Sequence, residues 1–153
     1  MFFKKDFNKF AHKLQKTMLP HAEELGKGNG VTLDYSDASI KDLDKICLNV
    51  VAELHAMGIH SPIDIEKDDG VQGIAHSLGF YIVECLERGH YKGTWTDIDP
   101  VSKENVWCIV FRNGYVIYPF DWVIKRILDP KGYSLGTAYA KTIASLEEGG
   151  ARR

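Results

Sequence analysis

The chain has 153 residues, of which 44% are hydrophobic and 26% are charged. This composition is typical of one folded domain over residues 1–153 and excludes disordered, collagen-like and disulfide-scaffold proteins. The formal net charge is −2. No apolar run approaches the roughly 20 residues of a membrane-spanning helix, so we expect no membrane partner. The start MFFKKDFNKF lacks the features of a secretory signal, so we expect a cytoplasmic protein.

The charge is distributed unevenly along the chain. Residues 1–31 and residues 112–153 each carry a net charge of +3, whereas residues 32–111 carry −8. Because nucleic-acid phosphates need cations around them, the acidic middle disfavours a nucleic-acid partner and favours a basic protein partner. The alternative is that these acids only keep the surface soluble.

The N-terminal residues show helical spacing, with lysines opposite an apolar side. The apolar positions are Phe3, Phe7, Phe10, Ala11 and Leu14. This pattern predicts a basic amphipathic helix over residues 2–17, which packs on the core or, alternatively, binds an acidic partner or a membrane surface. Pro20 and the run GKGNG at 26–30 predict a flexible, glycine-rich connector up to residue 31, after which the core spans 32–147.

A second helix is predicted between Ser36, a favourable N-cap, and Gly58, which ends the helix. Its apolar stripe is expected to be buried and includes Leu43, Ile46, Val50 and Leu54. The acidic segment IHSPIDIEKDDG follows, and its Pro62 and Gly70 are expected to prevent a long regular element.

From Val71 to about Arg88 the spacing is helical again, with apolar residues on two sides. Such a helix is expected at the centre of the domain, between a sheet and other helices, with Leu78 and Ile82 in the core. Gly79 costs roughly 1 kcal/mol relative to alanine within a helix. We therefore expect another backbone to approach closely at that position.

The sequence period then changes to two, which predicts short strands over residues 94–96 and 106–112. Ile109 and Phe111 of the second strand are expected in the core. A third strand follows Asn113-Gly114, a dipeptide that predicts a hairpin with a type I′ turn, in which both residues have a positive φ.

Two helices close the chain, a short one from Pro119 and a last one that Ser134 caps, and the tail over residues 148–153 is expected to fray. Strands do not alternate with helices in this order. The sequence therefore predicts an α+β domain: N-terminal helices and a central helix packed on a small antiparallel sheet of about three strands, then two C-terminal helices.

The sequence has no Walker-type phosphate loop, GxSxG, HExxH or paired CxxC motif, so we predict no catalytic residue and no cofactor. His55 and His60 could meet across a bend with Asp64 nearby, but such a trio arises easily by chance, and we predict no metal site. Each cysteine lies in an apolar run and is expected to be a buried, reduced thiol: Cys47, Cys85 and Cys108.

Glu84 lies on the central helix, where a buried carboxylate must find a partner or remain protonated. Our preferred interpretation is a structural ion pair with Lys125 or Arg126 of the following short helix. One alternative is a general acid or base in a cleft between the central helix and the sheet, with Tyr81 and His76 or His90, which would make the protein a small enzyme. Another is that Glu84 faces water.

Protein binding is the function that the residues favour, since aromatic anchors surrounded by charges are typical of tight interfaces. A nucleic-acid-binding sheet would instead need basic residues among its aromatics. The predicted partner-binding residues lie in two acidic segments and beside them: Asp64, Glu66, Asp68, Asp69, Tyr91, Trp95, Asp97, Asp99 and Glu104.

The chain contains three short motifs, LDYS, GxYxxE and PxxxVxKR, which resemble those of an uncharacterised bacterial domain family. The resemblance covers about residues 33–146. Val83 departs from the family, which usually has a second glycine there. The resemblance implies a small α+β domain and no particular reaction. The matching residues of the second and third motifs are Gly79, Tyr81, Glu84, Pro119, Val123, Lys125 and Arg126.

In size, charge and predicted fold class, the chain also resembles the immunity proteins that neutralise contact-dependent or secreted bacterial toxins. Such toxins are frequently basic nucleases, which an acidic surface blocks by matching charge. This resemblance implies a toxin-neutralising immunity protein with a basic toxin domain as its partner. A regulatory module, with a homodimer as its commonest form, and the small enzyme are the alternatives.

Overall fold

The computed structural model describes residues 4–148. Within that range the order of elements is α1 (Lys4–Gly28), a 3₁₀ helix (Asp37–Ser39) that Ser36 caps, α2 (Ile40–Ala56), α3 (Pro62–Lys67), α4 (Asp69–Gly89), β1 (Thr94–Ile98), β2 (Asn105–Val110), β3 (Val116–Ile117), α5 (Pro119–Leu128) and α6 (Leu135–Glu148). The predicted α+β class and small antiparallel sheet are confirmed. Three predicted features lie outside the described residues: the helix start at residue 2, the apolar position of Phe3, and the frayed tail beyond residue 148.

Helix α4 is the central helix, with α1 and α5 packed against it. A Cβ atom added at Gly79 would lie 2.4 Å from Cδ1 and 3.2 Å from the backbone nitrogen of Phe120. The predicted close approach is confirmed, because only glycine lets the start of α5 come so near. All eight predicted core residues are buried: Leu43, Ile46, Val50, Leu54, Leu78, Ile82, Ile109 and Phe111.

Helix α1 is longer than the sequence predicted, because it continues through Pro20. The side chains of Leu19 and Ala22 on either side of the proline are buried, and this packing outweighs the backbone hydrogen bond that a proline removes. The predicted flexible connector at 26–30 is also wrong. Its glycines end the helix in a Schellman motif, in which Gly30 has a φ of +75°.

The three strands form one antiparallel sheet in the order β1–β2–β3. A hairpin turn joins β2 to β3 as predicted, but it is not of type I′. Only Gly114 has a positive φ, of +85°, and its amide donates to the carbonyl of Phe111. This is the geometry of a three-residue loop with a bulge at the glycine, which does not need a positive φ at Asn113.

The acidic segment between α2 and α4 is more regular than the sequence predicted. Pro62 occupies the start of α3, where its missing N–H removes no helical hydrogen bond. The Asp68 carboxylate then caps α4 by accepting a hydrogen bond from the amide of Val71 at 3.0 Å. Gly70 therefore lies inside the first turn of α4 instead of preceding it.

Candidate functional site

A groove of about 700 Å³ opens between α1, α4, β2 and α5. Cavities of this size with apolar walls are where proteins commonly hold ligands or the side chains of a partner. The walls are mainly apolar and aromatic, and they include Leu14, Met18, Phe80, Trp107, Phe120 and Ile124.

Buried aromatic side chains pack against the rings that form the walls of the groove. The indole of Trp95 is stacked on the ring of Phe120 with centroids 5.6 Å apart, and the ring of Phe80 packs edge-on against both. Trp95 and Phe80 are buried, whereas Phe120 and Trp107 remain partly exposed in the groove. The exposed rings therefore rest on a rigid aromatic base.

Three polar side chains of the groove are engaged within the domain, and one of them is Gln72, whose Nε2 donates to the carbonyl of Glu66 at 2.7 Å. The Tyr118 hydroxyl donates to the Asp99 carboxylate at 2.8 Å. The Asp121 carboxylate lies 3.2 Å from the ammonium of Lys125, one helical turn along α5. The last two contacts hold the ends of β3 and α5 in place.

Three other polar groups of the groove have no hydrogen-bond partner among residues 4–148. They are the Asn105 carboxamide, the His76 imidazole and the indole N–H of Trp107. The His76 ring contacts the edge of Phe120, with centroids 4.7 Å apart. The groove therefore combines apolar walls with donors and acceptors that remain available to a bound molecule.

Both acidic segments border this groove. Gln72 and Gly73 line it and follow Asp69 by about one helical turn, while Asn105 lines it and follows Glu104 directly. Five of the predicted partner-binding acids are exposed, and in the described part of the chain their carboxylates have no hydrogen bond or ion pair: Asp64, Glu66, Asp69, Asp97 and Glu104.

Of the two predicted aromatic anchors, Trp95 is buried and Tyr91 is partly exposed. Trp95 is 0% exposed, and its indole N–H donates to Gln15 Oε1 at 2.8 Å, so the prediction of an exposed anchor is wrong. Strand alternation turns this residue toward α1 and α4. Tyr91 is half-buried, and its ring packs against the hydrophobic core.

Two predicted binding acids have structural roles instead. Asp99 is 7% exposed, and its carboxylate accepts a hydrogen bond from the amide of Val101 at 2.8 Å. This bond, together with the bond from Tyr118, lowers the pKa of Asp99. Asp68 is half-buried and is the N-cap of α4. Both carboxylates are therefore already hydrogen-bonded within the fold.

Glu84 is 1% exposed and is held by residues of α1 and α4. Its carboxylate accepts hydrogen bonds from Gln15 Nε2 at 2.9 Å, Lys16 Nζ at 2.5 Å and Arg88 Nε at 2.8 Å. Burial disfavours the charged form, but the donors outweigh it and lower the pKa of Glu84 to about 2. The predicted structural ion pair exists, with other partners.

Lys125 and Arg126, the predicted partners of Glu84, pair with other acids. Lys125 pairs with Asp121, as described above, and Arg126 Nε lies 3.0 Å from an oxygen of Asp44 without the alignment of a hydrogen bond. The Asp44 carboxylate also accepts hydrogen bonds from two amides at the start of α6. Arg126 and Asp44 therefore tie α5 and α6 to α2.

A second buried carboxylate lies beside Glu84. Glu87 accepts hydrogen bonds from His12 Nε2 at 2.8 Å, Gln15 Nε2 at 3.0 Å and the amide of Gly93 at 3.2 Å. The hydrogen bond to Glu87 raises the pKa of His12 against the opposing effect of burial. We call the whole group the α1–α4 polar cluster: His12, Gln15, Lys16, Glu84, Glu87 and Arg88.

The sequence did not predict this cluster. Its α1 members lie on the side that the lysine pattern marks as solvated. The local signal in the sequence was Arg88, which follows Glu84 by one helical turn. The acid–base alternative with Tyr81 finds no support in the geometry. The Tyr81 hydroxyl accepts from the amide of Tyr35 at 2.8 Å and hydrogen-bonds Ser39 Oγ at 2.7 Å, while donors occupy the Glu84 carboxylate.

The three cysteines are buried free thiols, as predicted, and burial raises the pKa of Cys47 and Cys85 to about 12 and that of Cys108 to about 11. The rings of His55 and His60 do meet, with centroids 4.7 Å apart. Among the described residues, however, no three histidine, cysteine or acidic side chains are placed to hold a metal ion.

Comparisons with known proteins give no match: no model of a known protein family, no curated protein and no solved structure matches this chain. None of the helices within residues 4–148 combines the length and apolar character that crossing a bilayer requires. Fold and site together define a small α+β domain with an aromatic-walled groove bordered by acids.

Proposed function

We propose that this domain is a non-catalytic protein-binding module that recognises a basic partner protein. Surface charges of one sign attract an oppositely charged partner, and an apolar groove among them supplies the area that such a complex buries. The observation that carries the proposal is a set of exposed carboxylates without partners among the described residues, on both segments that border the groove: Asp64, Glu66, Asp69, Asp97 and Glu104.

We further propose a cytoplasmic immunity protein that neutralises a basic toxin domain. Three free, buried thiols fit a reducing compartment, and the unpaired acids fit a basic partner. The gene immediately upstream tests this role, because it should encode a large toxin with a C-terminal effector domain. An unrelated upstream gene contradicts the immunity role and leaves protein binding to be tested separately.

The test of protein binding measures how fast the partner associates. Two double variants, Glu66→Lys with Asp69→Lys and Asp97→Lys with Glu104→Lys, reverse the unpaired acids and leave the helix cap at residue 68 intact. The partner is purified from the native host, and its on-rate is measured at two salt concentrations. Salt at 0.15 M already limits the field to about 8 Å, so the wild-type on-rate should fall steeply as salt increases.

Both double variants should slow association about tenfold or more at low salt and leave the off-rate nearly unchanged. The control is Glu147→Lys with Glu148→Lys, which changes the net charge equally at the exposed end of α6. An equal effect of this control, or an on-rate that salt does not change, would refute recognition through the acidic segments.

A further inference from the structure

We infer that the groove between α1, α4, β2 and α5 binds a segment of the partner in which an aromatic side chain is flanked by lysine or arginine. This inference rests on the proposed function and deepens it, because it names the chemistry of the bound segment.

The aromatic preference follows from the groove walls. The rings of Trp107 and Phe120 are partly exposed, with centroids 6.1 Å apart and an angle of 40° between their planes. Phe120 is stacked on the buried indole of Trp95, so its ring is held in place before anything binds. Rigid aromatic walls favour offset or edge-on contact with another ring, at little cost in conformational entropy.

The groove also has the groups that a peptide backbone needs. The Asn105 carboxamide is exposed and can both donate and accept, and the Trp107 indole N–H can donate. Neither group has a hydrogen-bond partner among residues 4–148. An extended segment with its aromatic side chain in the groove could therefore bond its main chain to these groups.

Charge complementarity decides which residues flank the aromatic side chain. The residues that line the groove include no lysine or arginine and one carboxylate, Asp121, which is paired with Lys125 outside the groove lining. The unpaired carboxylates of Glu66, Asp69 and Glu104 lie on the segments beside it. Lysine or arginine next to the bound ring would meet these acids, whereas an acidic neighbour would be repelled.

Three blocked tripeptides test the inference on the purified domain without the partner: Lys-Trp-Lys, Glu-Trp-Glu and Lys-Gly-Lys. Binding is followed by the shifts of backbone amide resonances in ¹H–¹⁵N spectra. Lys-Trp-Lys should shift the amides of Trp107 and Phe120 and bind about tenfold more tightly than the other two peptides. Equal binding by Glu-Trp-Glu overturns the charge preference, and equal binding by Lys-Gly-Lys overturns the aromatic preference.

Variants of groove residues show whether Lys-Trp-Lys binds in the groove. Trp107→Ala removes a wall, and Asn105→Ala removes an exposed carboxamide without touching the core; each should weaken Lys-Trp-Lys binding severalfold. Met57→Ala, at an exposed apolar position outside the groove, is the matched control and should change nothing. No shift at the groove, or unchanged affinity in Asn105→Ala and in a folded Trp107→Ala, overturns the inference.

The inference and the proposed function fail in distinguishable ways. If the acid reversals slow association with the partner but the groove variants change neither partner nor peptide binding, the groove inference is wrong and the proposed function stands. If the acid reversals have no effect, the proposed function is wrong, whatever the tripeptides show.

Discussion

Two groups of carboxylates in this domain have opposite surroundings. In the α1–α4 polar cluster, the side chains of Glu84 and Glu87 are 1% and 7% exposed, and each accepts hydrogen bonds from three donors. Beside the groove, acids such as Glu66 and Asp69 are exposed, and their carboxylates accept hydrogen bonds from none of the described residues.

Burial explains the difference between the two groups. A buried carboxylate without donors costs several kcal/mol, so the fold must supply its partners, whereas water solvates an exposed carboxylate at no such cost. The paired acids therefore contribute to the stability of the fold, and the unpaired acids contribute little to it. Only the second group can gain or lose a partner at little cost to the stability of the fold.

The largest expected effect is at Glu84. Glu84→Gln should lower the free energy of unfolding by about 2–3 kcal/mol, because three donors lose a charged acceptor in a buried site. Lys16 and Arg88 are about half-exposed and can return to water, which keeps the loss below that of a fully buried pair. Urea unfolding at pH 7 measures this, with Glu66→Gln, expected within about 0.5 kcal/mol of wild type, as the control.

The pH dependence of the unfolding free energy below about pH 5 tests the same pair of variants. The Glu84 carboxyl has a pKa of about 2 in the folded protein against a usual value of 4.5. A lowered pKa stabilises the fold above the usual value, and that stability is lost as the pH falls from about 5 toward 2. Glu84→Gln should therefore have a flatter acid profile than wild type and Glu66→Gln. Parallel profiles for all three proteins would contradict the role of Glu84.

The fold could be predicted from the sequence wherever the signal was local. The stripe from Leu43 to Leu54 and the two apolar sides of α4 depend only on spacing along the chain, and both predictions are confirmed. The continuation of α1 through Pro20 could not be predicted this way. It depends on the tertiary packing of the helical turns on both sides of Pro20. This packing outweighs the low preference of proline for the interior of a helix.

The site was harder to predict, because its contacts join distant parts of the chain. Gln15 and Lys16 are 69 and 68 residues away from Glu84, so spacing along the chain could not identify them. Arg88 lies one helical turn from Glu84 and is the one partner that local spacing could have predicted. The groove could not be predicted for the same reason, because its walls come from four separate elements that are spread along the sequence. Alternation places neighbouring side chains of a strand on opposite faces of the sheet, but it could not show that Trp95 is on the buried face.

A smaller effect separates two acids that are neighbours in the sequence. The Asp68 side chain caps α4, while that of Asp69 is exposed in the first turn. Asp68→Ala should cost about 1 kcal/mol, which lowers the melting temperature of a domain of this size by about 2–4 °C. Asp69→Ala should change stability by less than about 0.5 kcal/mol. Equal melting temperatures for the two variants would show that the cap contributes nothing.

The smallest effect concerns the ion pair between His12 and Glu87, whose atoms Nε2 and Oε2 are 2.8 Å apart. The pKa of His12 is raised above 6.5, so the pair stabilises the fold fully below pH 6.5 and loses that contribution as the pH rises through the raised pKa. Because the His12 side chain is 24% exposed, the change should stay below about 1 kcal/mol.

His12→Gln keeps a neutral donor and should remove this decline of the unfolding free energy above pH 6.5. His21→Gln is the control, because His21 is exposed and has no hydrogen bond within residues 4–148. If wild type and His12→Gln lose stability in parallel above pH 6.5, then the remaining donors, Gln15 and the Gly93 amide, suffice to hold Glu87. The contrast between paired and unpaired acids would then depend on Glu84 alone.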